Sequence, residues 1–70
     1  MNIYINGEGR EVPENLTLAA LLGWLNLPAD RVAVERNREL ASRSTWAETV
    51  IRPGDRLEVV HFVGGGTGMA

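Results

Sequence analysis

Between Leu16 and Pro28 the chain does something it does nowhere else. In "NLTLAALLGWLNLP", Leu18, Leu21, Leu22 and Leu25 recur at i, i+3, i+4 and i+7, one apolar stripe of a helix. On either side of it the apolar residues alternate instead, as they do in strands. One amphipathic helix among several short strands leaves few ways to bury both. The helix must lie across one face of a sheet. The spacing predicts a helix over residues 17–26, with Thr17 as N-cap, Leu16 and Leu21 placed for a hydrophobic staple, and Pro28 marking the end. Gly23 inside it costs about 1 kcal/mol relative to Ala, so the sequence predicts either compensation elsewhere or a closely approaching neighbour.

The flanking segments supply the sheet. "NIYINGEGREVP" reads as a hairpin: Ile3 and Ile5 alternate with polar neighbours, Asn6-Gly7 carries the turn chemistry, and Val12 continues the inward side of the return strand. "RVAVERN" is a strand with Val32 and Val34 inward. The polar connection after it predicts a short strand near Leu40 and a helical turn around Trp46. "RPGD" has proline at the second position of a turn, and "RLEVVHFV" is the last strand. The expected fold class is therefore α+β: a β-grasp mixed sheet with one main helix across one face, a domain over residues 1–63 and a glycine-rich arm over 64–70.

Seventy residues suffice for one small core, and with no cysteine neither a disulfide nor a thiolate zinc site supports it. The formal charge is −2, and the seven basic residues, all arginine, are scattered among nine acids. Nucleic-acid binding is disfavoured on that distribution, and the missing lysine removes Schiff-base chemistry. No run reaches membrane-spanning length and the N-terminus lacks a signal-peptide layout, so a soluble, cytoplasmic protein is expected.

Few residues suggest catalysis. His61 is the single histidine, too little for a transition-metal site, and reads as structural. Ser42, Ser44, Asp55 and His61 lack the context of a nucleophile elbow. A dinucleotide-binding reading of Gly64 and Gly66 fails because position 69 is Met and no helix can follow. Trp24 and Trp46 read as partly buried packing. Val60 and Phe62 are more telling. If Leu57 and Val59 face the core, pleat alternation turns Glu58, Val60 and Phe62 to the opposite face, a candidate partner surface beside the arm.

From "VAVERNRELASRSTWAETVIRPGDRLEVVHFVGGG" onward the residues resemble a family, the bacterial sulfur carriers of thiamin biosynthesis (ThiS). The resemblance covers the V-x-R-N strand, the Trp-containing connection, the G-D turn and the apolar strand that ends in glycine. The N-G hairpin and the T-L-x-x-L-L helix are similar in layout, so the likeness runs over residues 1–66. It implies a ubiquitin-like protein that enzymes act on, not an enzyme, with no bound cofactor and no metal. A ThiF-like adenylating partner would use ATP and magnesium to activate the carboxylate of Gly66. A sulfur donor such as a cysteine desulfurase would then convert it to a thiocarboxylate, and a ThiG-like thiazole synthase would receive the sulfur. Gly64 and Gly65 would be the arm.

The chemistry suits such an arm. A carboxylate is a poor electrophile, so the activated carbon must enter a partner's active site. Three glycines reach about 10 Å when extended and need a channel only as wide as a backbone. "TGMA" does not fit, because while residues 67–70 are attached the Gly66 carboxylate does not exist. Removal by a peptidase is the preferred reading, ahead of residues added to the natural chain or a copy that is no longer a carrier. Two rival functions stay open: a MoaD-like small subunit of molybdopterin synthase, and a non-carrier β-grasp interaction domain.

Overall fold

The computed structural model describes residues 1–62 of the chain. Five strands and one α-helix follow in order: β1 (Asn2–Ile5), β2 (Glu8–Glu11), α1 (Leu18–Trp24), β3 (Val32–Arg36), β4 (Glu39–Leu40) and β5 (Arg56–His61). Single 3-10 segments, Ala29–Arg31 and Arg43–Glu48, precede β3 and follow β4. The sheet order is β2-β1-β5-β3-β4, so the last strand is the central one. β5 runs parallel to β1 and antiparallel to β3, which makes the sheet mixed. This is the expected α+β architecture.

Local chemistry explains the elements. Asn6 and Gly7 have φ of 51° and 85° and close a two-residue hairpin between Ile5 and Glu8, the left-handed pair that matches strand twist. Thr17 caps α1 by accepting from the Ala20 N–H at 3.1 Å. The helix stops sooner than residue 26. Asn26 takes φ 62°, its N–H donates to Gly23 and the Leu27 N–H donates to Leu22, which closes the helix in a Schellman motif before Pro28 acts. No neighbour presses on Gly23: a methyl there would meet nothing within 4 Å.

Ile3, Val12, Leu18, Leu21, Leu22, Val32, Val34, Trp46, Ile51 and Leu57 form the buried core between helix and sheet. Leu25 is only half-buried, at the end of the stripe. The two tryptophans part company. Trp46 is 5% exposed and donates its indole N–H to the Ala41 carbonyl, whereas Trp24 is 49% exposed and is not the packing residue the sequence reading expected. Trp24 lies in the last turn of α1, off the stripe that Leu18, Leu21 and Leu22 bury.

Candidate functional site

The site is built around the far end of β5, because everything after it hangs from that strand. Its start is fixed by Asp55. That carboxylate accepts from the Arg36 Nε–H at 2.9 Å, the Asn37 Nδ2–H at 3.2 Å and the Arg52 backbone N–H at 2.9 Å. Burial alone pushes this carboxyl up. The hydrogen bonds from Arg52, Arg36 and Asn37, with the Arg36 charge, outweigh burial and hold its pKa below the ordinary value of 3.8. The Pro53-Gly54 turn delivers Asp55, with Gly54 at φ 84° and the Asp55 N–H donating to Arg52. The Asp55 carbonyl in turn accepts from the Tyr4 N–H at 2.9 Å, so β5 enters the sheet in one register.

Asn6 continues this control. Its Oδ1 accepts from the Val59 N–H at 2.8 Å and its Nδ2–H reaches the Val59 carbonyl at 3.3 Å. A side-chain amide thus stands in for the backbone of β1 at the point where β1 turns away. Past Val59, β5 is held on one side only among the described residues, by β3: Val32 lies opposite His61, and the Phe62 N–H donates to the Arg31 carbonyl at 3.0 Å.

Pleat alternation along β5 is as the sequence predicts. Leu57 is buried and Val59 packs against the core. Val60 is 59% exposed and Phe62 38% exposed, on the opposite face of the sheet. Ala33 lies directly opposite Val60. Leu40 at 75% exposure extends the apolar surface toward β4, and Glu35 and Glu58 face each other beside it. Gly64, Gly65 and Gly66, and the overhang of residues 67–70, lie outside the described residues, as does Val63.

The hydrolase grouping dissolves. Asp55 is taken up by Arg36, Asn37 and Arg52, and Ser42 and Ser44 hydrogen-bond to each other at 3.0 Å. His61 is exposed on the inner side of the sheet, where no hydrogen bond joins it to Asp55 among the described residues. No cluster of three metal-ligating side chains occurs among those residues, and no described helix is long and apolar enough to cross a membrane. The structure also shows what sequence reading missed, a hollow of about 200 Å³ between the end of β1 and the end of β5. Ile5, Leu25, Leu27 and Val59 line it, with Asn6, Arg10 and His61 completing the wall.

Comparison with known proteins places this geometry. The sequence model of the ThiS family matches residues 3–66. A thiazole synthase from Paramagnetospirillum magneticum is 44% identical over 70 residues, all of this chain, which spans 22% of that protein's length. The sulfur carrier protein ThiS of Bacillus subtilis is 40% identical over 50 residues, covering 71% of this chain and 76% of that one. The crystal structure of the thiamine biosynthesis protein ThiS from Geobacter metallireducens superposes with a TM-score of 0.83 at 36% identity, covering 94% of this chain and 100% of the other.

Proposed function

The chain belongs to the ThiS family, and from that premise we propose that it is a sulfur carrier of thiamin biosynthesis whose cargo rides on the carboxylate of Gly66. The observation that carries this reading is the end of the family match at residue 66, the last glycine of the run that β5 leads into. The glycines supply what the chemistry needs: a reactive carbon on a thin backbone that enters another protein's active site.

The steps fall to partners. A ThiF-like enzyme, using ATP and magnesium, joins the Gly66 carboxylate to AMP and releases pyrophosphate. Sulfur from a desulfurase persulfide displaces AMP, and a thiol reductant cleaves the resulting acyl disulfide, being oxidised to a disulfide itself and leaving the thiocarboxylate. A ThiG-like thiazole synthase then takes the sulfur. Relatives in which this domain forms 22% of a thiazole synthase chain support that last partner. The carrier's own residues contribute positioning. The Asp55 and Asn6 contacts set the register of β5, and Val60 and Phe62 offer an apolar docking surface on the face beside the arm.

For Gly66 to react, the peptide bond after it has to be cut. The side-chain-poor sequence around it suits a peptidase cleft, which takes extended backbone. The test is reconstitution: a chain ending at Gly66, incubated with a ThiF-like enzyme, ATP, magnesium, a desulfurase with cysteine and a thiol reductant, should gain the mass difference of one oxygen replaced by sulfur. A chain that binds the enzyme and never gains it would refute the assignment.

A further inference from the structure

β5 is the central strand, yet it ends as an edge. In the antiparallel ladder with β3, Arg56, Glu58, Val60 and Phe62 turn their backbone N–H and C=O groups toward β3 and its extensions, as the bonds from Asn37 N–H to Arg56 and from Phe62 N–H to Arg31 establish. Leu57, Val59 and His61 therefore turn theirs the other way, toward the lane of β1. The Leu57 carbonyl accepts there from the Asn6 N–H, and Val59 is met by the Asn6 side chain. His61 is met by nothing: among the described residues no group accepts from its N–H or donates to its carbonyl on that side. The chain has left that lane at Gly7, turning toward β2 on the far side of β1.

The vacated lane borders the hollow lined by Ile5, Leu25, Leu27 and Val59. An extended segment laid along β5 would send alternate side chains to the inner face, and the hollow lies under that track. The arm fixes who comes close. Gly66 is at most about 14 Å of extended chain from Phe62, so any enzyme that grips Gly66 has its own backbone beside the end of β5. A bare glycine backbone enclosed by that enzyme must also have its N–H and C=O groups paired, and a strand of the enzyme pairs them residue by residue.

We infer that the thiazole synthase adds a strand to β5 in the lane β1 abandons at Asn6, starting on the backbone N–H and C=O of His61 and seating an apolar side chain in the hollow of Ile5, Leu25, Leu27 and Val59. Main-chain bonds supply affinity and the hollow supplies selectivity, as in other strand-addition complexes. The inference rests on the carrier reading. It differs from the docking surface of Val60 and Phe62, which lies on the opposite face and leaves the His61 backbone free. The His61 imidazole forms part of the wall of the hollow, whereas the strand pairing rests on the His61 peptide group.

That distinction makes the test. Binding of thiazole synthase is measured by titration calorimetry for the chain ending at Gly66, unaltered and as His61→Ala and His61→Pro. Alanine keeps the N–H, whereas proline removes a donor that the fold does not use and adopts extended backbone at a strand end. His61→Ala sets the baseline, because the imidazole forms part of the wall of the hollow and its own contribution is read there. His61→Pro should bind at least tenfold more weakly than His61→Ala while unfolding within a few degrees of it. Amide exchange on the unaltered chain needs no variant: the His61 N–H should exchange at least tenfold more slowly in the complex. Equal binding by His61→Pro, or an unchanged His61 exchange rate, overturns the strand and leaves the carrier reading intact. Failure of the unaltered chain to bind thiazole synthase would overturn the carrier reading's partner, and the strand with it.

Discussion

Replacing Asp55 by alanine removes the acceptor on which the start of β5 depends. Three N–H groups lose their partner: Arg36 Nε at 2.9 Å, Arg52 N at 2.9 Å and Asn37 Nδ2 at 3.2 Å. Hydrogen bonds to an ionised group contribute roughly 1.5–3 kcal/mol each, so three of them set an upper bound well above the net effect. The Arg36 side chain is 29% exposed and regains water, and Asn37 is exposed outright. The Arg52 amide and the covered part of the guanidinium are what remain uncompensated, and the expected loss is about 3 kcal/mol. For a domain of this size that is a large share of its stability. Urea unfolding followed by fluorescence of Trp46 and Trp24 should show a lower midpoint with an unchanged slope. The pH dependence has a definite sign. Asp55 has a folded pKa below 3.8, so its contribution is complete above that value and fades as pH falls through the folded pKa. The gap between parent and Asp55→Ala should narrow below pH 4 and be widest near neutrality. A loss under 1 kcal/mol at pH 7, or a gap that widens in acid, would refute the claim that this carboxylate organises β5.

Leu21 is fully buried under the sheet, and Leu21→Ala should cost about 2–5 kcal/mol by thermal or urea unfolding, enough to unfold much of the population at 37 °C. Gly23→Ala should do the reverse and stabilise by up to about 1 kcal/mol, because the added methyl meets open space on an exposed helical turn. Phe62→Ala should leave the unfolding temperature within a degree or two while weakening binding to the ThiF-like enzyme or thiazole synthase by at least fivefold in calorimetry.

The fold was legible where one short stretch determines its own geometry. The leucine stripe named the helix, Asn6-Gly7 named the hairpin, and Pro53-Gly54 named the turn before β5. The helix end was misjudged because Pro28 is a conspicuous stop signal, whereas the real one is Asn26 in a left-handed conformation, which many asparagines never adopt. The exposure of Trp24 was legible but overlooked, since the stripe of Leu18, Leu21, Leu22 and Leu25 already leaves position 24 off the buried face. The brace of Asp55 was invisible for a different reason: Arg36 and Asn37 lie 19 and 18 residues away and meet it only once β3 and β5 are paired. Alternation alone gave the outward face of Val60 and Phe62. The open lane at His61 needed the register of three strands and the end of β1, none of which a single segment encodes.

The central claim is that Gly66 is the sulfur-bearing end, and the intact mass of the protein purified from its own host tests it most directly. With the host growing without added thiamin, the account predicts species ending at Gly66, a fraction of them heavier by the exchange of one oxygen for sulfur. Gly66→Ala should abolish the heavier species and leave the unfolding temperature unchanged. Chains that all continue past Gly66, or chains ending there that never carry sulfur, would contradict it.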